Sequence, residues 1–165
     1  MSMITVDKDL EKGTMTFTAQ FDAPIERVWR LWADPRQLER WWGPPTYPAT
    51  VVKHDFTPGG IVDYYMTGPD GDRSHGKWRV LSLEPPHKLE VEDVFADADG
   101  NPNPDMPATV FTVSLEARAG GGTRVTIHST FASADAMEKL LEMGMEEGAK
   151  ASLAQIDGLL AEDAA

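Results

Sequence analysis

Residues 61–95, IVDYYMTGPDGDRSHGKWRVLSLEPPHKLEVEDVF, contain the pattern that decides the fold of this chain of 165 residues. Over residues 61–67, side chains of alternate positions fall on opposite faces, which is typical of a β-strand. Residues 68–72 (GPDGD) have the composition of a hairpin turn, with proline at the second position and Gly71 free to adopt a positive φ. The stretch therefore predicts an antiparallel hairpin.

Further strands are predicted on both sides of this hairpin. The clearest alternation of apolar and polar residues lies in TMTFTAQF, residues 14–21. Successive strands with short turns predict an antiparallel meander. The predicted strands span residues 4–6, 14–21, 50–56, 61–67, 74–83, 88–95, 108–117 and 123–131.

Two short helices are predicted after the strand at residues 14–21. Residues 22–24 (DAP) end that strand, and proline suits the first turn of a helix because its missing N–H would be unpaired there. The second helix has Asp34 as N-cap and Gln37 placed to complete a capping box, and Gly43 ends it. The first helix has its apolar residues at helical spacing, at Ile25, Val28, Trp29 and Trp32.

A long C-terminal helix is predicted over 134–161, with Ser133 as its cap. A helix of this length would be about 42 Å long, enough to lie across a whole sheet. Gly144 and Gly148 lie in its interior, where each glycine costs roughly 1 kcal/mol relative to alanine. Close approach of a bound ligand, or of a tightly packed strand or tryptophan, would each explain them.

This architecture predicts an internal pocket. A strongly twisted meander becomes concave, and a straight helix across it touches both rims and leaves space in the middle. Large side chains are expected to face this space, and they are Val62, Tyr64, Met66, Trp78, Phe111, Val113 and Leu115.

Composition limits the classes of partner. The formal charge of −12 repels phosphate backbones and anionic lipid surfaces, so we expect neither nucleic acid nor membrane as a partner. The chain has no cysteine, no apolar run long enough to span a bilayer and no signal-peptide pattern at its N-terminus, and we expect a cytoplasmic protein. Unpaired edge strands would be compatible with a homodimer.

No motif indicates a metal or another cofactor. Asp97, Asp99 and Asn101 resemble the start of a calcium loop, but Pro102 and Ala108 replace its glycine and glutamate. The four histidines lack the spacing of a zinc motif. The segment around Ser74 misses the spacing of a nucleophile elbow, so a serine hydrolase is not expected.

Three polar side chains are candidates for contact with a ligand. With Trp78 facing inward, strand parity places His75 on the outer face. The same parity places Asp93 inside, where a buried carboxylate needs a partner or a raised pKa, although the alternative register would place Glu92 there. Tyr64 could donate a hydrogen bond to a ligand or could be an ordinary core tyrosine.

Trp41 and Trp42 end the second helix. We expect one to anchor that helix in the core and Trp42 to face the pocket, where an indole offers a ring to stack on and one N–H donor. Methionines at 137, 143 and 145 would suit a pocket that adapts to the shape of its ligand.

The order of several motifs resembles the START-related helix-grip (SRPBCC) superfamily, and residues 144–148 (GMEEG) resemble its branch named for activators of the heat-shock-protein-90 ATPase. The other motifs that carry the resemblance, which runs from about Phe21 to Leu160, are FDAP (21–24), VW (28–29), DP (34–35), WWGP (41–44), PGG (58–60), GPDG (68–71), GKW (76–78) and PPHKL (85–89).

The resemblance implies an α+β helix-grip fold for one domain spanning residues 1–165, with a curved antiparallel sheet around a long C-terminal helix. It also implies a hydrophobic cavity, which relatives use to bind lipids, sterols or polyketides or to catalyse cyclisation or dehydration. The eukaryotic co-chaperones of this branch carry an additional N-terminal domain, and few residues precede Phe21 here, so we do not expect a chaperone partner.

We therefore predict a protein that binds a small apolar or aromatic molecule. An enzyme of the cyclase or dehydratase type in the same cavity and a regulator of a chaperone ATPase are the alternatives. No catalytic residue is assigned. The predicted ligand-binding residues are Trp42, Tyr64, Met66, Trp78, Asp93, Phe111 and Met145.

Overall fold

A computed structural model describes residues 4–106 and 108–163 of the chain. Within these residues there are eight strands and five helical segments. In chain order they are β1 (Ile4–Asp9), β2 (Thr14–Phe21), α1 (Ile25–Ala33), α2 (Pro35–Trp41), β3 (Ala49–His54), β4 (Ile61–Thr67), β5 (Arg73–Glu84), β6 (Lys88–Ala96), β7 (Thr109–Ala117), β8 (Thr123–Phe131), α3 (Ala134–Glu142), α4 (Met145–Ala154) and α5 (Ile156–Asp163).

The strands form one antiparallel sheet in the order β1-β2-β8-β7-β6-β5-β4-β3. The meander from β3 to β8 is thus continuous, and the N-terminal hairpin joins it through the pairing of β2 with β8. The register shifts between Val51 and Lys53 and between Val80 and Ser82. Such bulges increase local twist, which helps to curve the sheet around the helices.

The strand alternation predicted from the sequence is the alternation that the sheet uses. In β2 the residues Met15, Phe17, Ala19 and Phe21 are buried, and the threonines between them are half-buried. The turn at residues 68–72 also forms as predicted, with Gly71 at φ 84°. The Gly68 amide donates to the carbonyl of Asp72 at 2.7 Å and closes this turn.

The short helices α1 and α2 follow β2. The Asp34 side chain caps α2 by accepting a hydrogen bond from the Arg36 amide at 2.9 Å. The predicted capping box with Gln37 does not form. The Asp34 amide already donates to the carbonyl of Arg30 at 3.0 Å, so it is not available to the Gln37 side chain.

The C-terminal helical region is interrupted, unlike the single helix predicted over 134–161. Gly144 has φ 88°, a left-handed conformation that ends α3 and starts α4 in a new direction. Gln155 between α4 and α5 keeps right-handed helical angles, φ −75° and ψ −19°. We call α4 and α5 together the C-terminal helix, which from Met145 to Asp163 is about 28 Å long.

The core lies between the concave face of the sheet and the helices. Trp32 and Trp41 meet edge to face with 4.9 Å between ring centroids. The C-terminal helix buries apolar side chains against this core, and its Gln155 donates to the carbonyls of Trp41 and Gly43 at 3.2 and 2.8 Å. The architecture confirms the predicted α+β helix-grip fold, a curved sheet with a long C-terminal helix.

Within the described residues, none of the helices combines the length and the apolar character needed to cross a membrane.

Candidate functional site

A cavity of about 380 Å³ lies between the sheet and the helical side of the molecule. Its size is typical of a small-molecule site. The predicted hollow is therefore present and is not filled by side chains. The sheet contributes residues of β2, β4, β5, β6, β7 and β8 to the wall. The opposite side is formed by α3, by α4, by one tryptophan each of α1 and α2, and by the segment after α2.

Six of the seven predicted ligand-binding residues line this cavity. They come from three strands, from the end of α2 and from the start of α4, and the fold brings them together as strand parity predicts. They are Trp42, Tyr64, Met66, Asp93, Phe111 and Met145.

Trp78 lies behind the wall, so the prediction that it lines the cavity is corrected. Its side chain is fully buried, and its ring packs edge to face against Trp42, Tyr64 and Phe111 at centroid distances of 4.9, 6.3 and 5.6 Å. Trp78 faces the concave side of the sheet as predicted, but these three rings cover it. It supports the aromatic wall without reaching the cavity surface.

The polar end of the cavity is formed by a hydrogen bond between side chains of β4 and β6, two strands separated by β5. The hydroxyl of Tyr64 on β4 donates to Oδ1 of Asp93 on β6 at 2.8 Å. The intervening strand, β5, has Gly76 opposite Tyr64 in the register. A side chain at Gly76 would collide with the Tyr64 ring, so this glycine allows the phenol to lie across β5 and reach Asp93.

The surroundings of this pair change the acid–base properties of both groups. Burial raises the pKa of Asp93 from 3.8 to about 7, although the hydrogen bond from Tyr64 opposes the rise. Asp93 keeps some accessible surface where it lines the cavity, but protein surrounds its carboxyl group. Burial also raises the pKa of Tyr64 well above its ordinary value, and the charge of Asp93 adds to this.

Two indole groups lie beside the Tyr64 hydroxyl. The side chains of Trp42 and Trp78 lower the pKa of Tyr64 by placing their N–H groups near its oxygen. Neither N–H reaches hydrogen-bond geometry, and both are buried without a partner. A third indole N–H, that of Trp32, is likewise buried and unpaired, and Trp32 also lines the cavity. Unpaired buried donors cost free energy, which makes these groups unusual in a folded core.

The remaining polar candidates lie on the outer face of the sheet, as parity predicts. His75 borders the cavity rim, but its ring packs against Tyr65, its cross-strand partner, at a centroid distance of 5.6 Å. Glu92 lies 3.4 Å from the guanidinium of Arg79. Asp93 is therefore the inward carboxylate, and the alternative register with Glu92 inside is not adopted.

Both adjacent tryptophans border the cavity, and Trp41 also anchors its helix in the core. Trp41 is buried and its indole N–H donates to the carbonyl of Leu31 at 2.8 Å, which fixes α2 against α1. Trp42 lines the cavity and contacts the rings of Tyr64 and Phe111.

The glycines at 144 and 148 have different explanations. Gly144 is required by its positive φ. Gly148 lines the cavity, and a Cβ atom there would meet nothing within 4 Å, so no strand or tryptophan packs tightly against it. Of the two explanations left open by the sequence, the structure favours free space for a ligand at Gly148.

The sequence analysis missed one part of the wall. Strands β2 and β8 and helix α3 contribute apolar residues that were not among those expected to face the pocket. The alternation in β2 and β8 was visible, but nothing in it showed that these strands border the hollow. These lining residues are Met15, Phe17, Ile127, Phe131 and Leu140.

The described residues hold no cluster of three or more histidine, cysteine or acidic side chains suited to a metal ion. In the loop after β6, Asp97 accepts hydrogen bonds from the amides of Asp99 and Asn101, both at 2.9 Å. These hydrogen bonds lower the pKa of Asp97. The carboxylate thus organises its own loop.

Solved structures of bacterial proteins share this architecture over almost the whole chain. A protein from Arthrobacter aurescens is 51% identical, with 96% of this chain and 91% of that chain covered and a TM-score of 0.91. Protein Ms6760 from Mycobacterium smegmatis is 48% identical, with 96% and 97% covered and a TM-score of 0.87. A protein from Staphylococcus epidermidis is 30% identical, with 96% and 94% covered and a TM-score of 0.83.

No curated protein matches the chain. One protein family matches it over residues 22–161, which include both sides of the cavity described above. The chain therefore belongs to the family of activator of Hsp90 ATPase homolog 1-like proteins.

Proposed function

We propose that this protein binds a small hydrophobic or aromatic molecule in the cavity between the sheet and the C-terminal helix. The observation that carries the proposal is the cavity of about 380 Å³. The side chains of the hydrophobic core surround this space but do not fill it. Protein interiors normally pack to crystal-like density, so an unfilled space of this size between the two layers is unusual and is available to a guest.

The chemistry of the wall supports an apolar guest. Aromatic rings of Trp42, Tyr64 and Phe111 lie on one side, and Met66 and Met145 add flexible, polarisable side chains. Transfer of each methylene-sized group from water to such a wall contributes about 0.8 kcal/mol. Aromatic rings of a ligand would gain further from edge-to-face contacts with these side chains.

Two variants of matched chemistry test the proposal. Gly148→Leu places a side chain in the open space beside the cavity, whereas Gly158→Leu makes the same change on α5 at an exposed position outside the wall. Native mass spectrometry would identify a co-purified molecule, and calorimetric titration with it, or with naphthalene if none is found, would give the affinity. We expect Gly148→Leu to weaken binding about tenfold or more and Gly158→Leu to leave it unchanged.

Both variants replace a helical glycine, and we expect both to gain a few tenths to about 1 kcal/mol of helix stability. A loss of binding in Gly148→Leu therefore cannot be ascribed to unfolding. If neither a co-purified molecule nor any member of an apolar library binds the wild type, or if Gly148→Leu binds as well as wild type, the proposal fails.

A second candidate is an enzyme of the cyclase or dehydratase type in the same cavity. The Tyr64–Asp93 pair favours it, because a carboxyl group with a pKa of about 7 can exchange a proton near neutral pH. The two candidates differ in the fate of the ligand. A bound molecule recovered unchanged supports a binding protein, whereas a product that forms with wild type but not with Asp93→Asn supports an enzyme.

A further inference from the structure

The Tyr64–Asp93 pair forms a polar pole in a mostly apolar wall, which also includes Ser74, His75, Thr109, Ser129 and Ser152. The composition of this pole restricts the ligand. Oδ1 of Asp93 accepts the hydrogen bond from Tyr64 at 2.8 Å. Among the described residues, no side chain or amide pairs with the second carboxyl oxygen, Oδ2. Asp93 lines the cavity, so this oxygen is a free acceptor for a bound molecule.

The charges at the pole argue against an anionic ligand. A carboxylate or phosphate next to ionised Asp93 would place like charges together in a desolvated site, and a carboxylate or doubly ionised phosphate has no hydrogen to donate. The overall charge of −12 opposes an anion as well.

An ammonium ligand fits poorly for a different reason. An ammonium group has three N–H donors and costs several kcal/mol to desolvate, while Asp93 offers it one free carboxyl oxygen. The N–H groups of Trp42 and Trp78 lie beside the Tyr64 hydroxyl at the same pole. The positive hydrogen end of each N–H dipole would repel the charge of an ammonium group there.

A neutral hydroxyl group satisfies the pole. It has one donor for the free oxygen of Asp93, and its own oxygen can accept from a neighbouring donor such as the unpaired N–H of Trp42. We propose that the ligand carries a phenolic or alcoholic hydroxyl on an apolar ring body and that this hydroxyl donates to Asp93. The inference rests on the proposed function, which supplies the apolar part of the ligand.

A series of naphthalenes with one substituent at the same ring position tests this inference. Naphthol has a neutral donor, methoxynaphthalene has an acceptor only, naphthoate is an anion and aminomethylnaphthalene is a cation. Affinities would be measured by ¹H–¹⁵N NMR titration, in which the indole N–H signal of Trp42 reports on occupancy of the pole. At pH 8, where Asp93 is mostly ionised, we expect wild type to bind naphthol about tenfold more tightly than methoxynaphthalene, because a hydrogen bond to a carboxylate contributes more than one between neutral groups.

Variants locate the origin of this preference. Asp93→Leu removes the acceptor and keeps an apolar wall, so naphthol and methoxynaphthalene should bind it equally. If Asp93→Leu does not fold, the double variant Asp93→Leu/Tyr64→Phe removes the unpaired phenol too and carries the same expectation. Glu92→Gln is the control, because this neighbouring carboxylate pairs with Arg79 on the outer face and should leave the preference unchanged.

The outcomes separate this inference from the proposed function. Equal binding of naphthol and methoxynaphthalene to wild type, or tighter binding of the amine or the anion, would overturn the hydroxyl assignment while cavity binding stands. Retention of the naphthol preference in Asp93→Leu would also overturn it. Binding of no probe by wild type would remove both.

Discussion

Asp93 is the residue at which the stability of the fold opposes the ligand contact that we propose for it. Its carboxyl group has been taken out of water and has one protein partner, the hydroxyl of Tyr64. Burial therefore raises its pKa from 3.8 to about 7. A raised pKa means that the folded state binds the proton more tightly than the unfolded state, so ionisation of Asp93 destabilises the fold.

The pH dependence follows from the direction of this shift. Below about pH 4, Asp93 is protonated in both states and contributes no penalty. The penalty grows as pH rises from about 4 to about 7 and is complete above that range. We expect Asp93→Asn, which cannot ionise, to be more stable than wild type near pH 8 by about 2 to 4 kcal/mol, and to gain about 2 kcal/mol less near pH 5.

Urea denaturation at the two pH values measures this difference. Glu92→Gln serves as the control, because Glu92 lies on the outer face beside Arg79 and its replacement should have no comparable effect of pH. An equal gain for Asp93→Asn at both pH values would show that the carboxyl group is not desolvated in the folded protein.

Strand parity placed Asp93, Tyr64 and His75 correctly from the sequence, because a period of two leaves one choice of face once the apolar residues are assigned. Parity does not reveal what covers a residue. Trp78 faces the concave side, yet three aromatic rings separate it from the cavity, and only the packing of other elements decides that. The need for glycine at position 76 could not be predicted from the sequence either, because it arises from the Tyr64 ring that lies across this residue.

At the scale of elements, the interruption at Gly144 is the main departure from expectation. The apolar spacing continues through residues 134–161, so periodicity alone predicts one helix. Its position inside a predicted helix suggests a packing role for Gly144, whereas its φ of 88° makes it the C-terminal stop of α3. Its amide donates to the carbonyl of Leu141 at 3.1 Å. The break allows α3 and α4 to border the same cavity from different directions.

Two alanine substitutions in this region should have opposite effects. Gly144→Ala forces a Cβ atom into the left-handed conformation and should lower the free energy of unfolding by about 1 to 2 kcal/mol. Gly158→Ala adds the same methyl group to an exposed helical position on α5 and should raise it by about 0.5 to 1 kcal/mol. Chemical denaturation monitored by circular dichroism would measure both. Stabilisation by Gly144→Ala would mean that α3 and α4 form a continuous helix.

At the scale of the whole molecule, the cavity exists because the helical layer is attached to the sheet around its edges. Among its attachments, α3 buries Met137 and Leu140 in the core. The C-terminal helix buries Leu153, Ile156 and Leu159. On the α2 side, the Gln155 amide group bridges the carbonyls of Trp41 and Gly43. Such attachments hold the layer in place without filling the centre. The sequence predicted the two layers, but a bridge from one side chain to two backbone carbonyls left no pattern in it.

The Gln155 bridge should contribute more to stability than the ion pair between Arg40 of α2 and Glu162 of the C-terminal helix. Gln155→Ala leaves two carbonyls without their partner in a half-buried setting, and we expect a loss of about 1 to 3 kcal/mol in the free energy of unfolding. The second link, from Arg40 to Glu162 with contacts of 2.9 and 2.6 Å, is exposed to solvent, so Arg40→Ala should cost clearly less. Because Gly43 lines the cavity, Gln155→Ala should also weaken binding of an apolar probe, while Arg40→Ala should not. Denaturation and titration of both variants would measure these effects, and an equal loss of stability in the two would contradict the assignment of Gln155 as the main attachment.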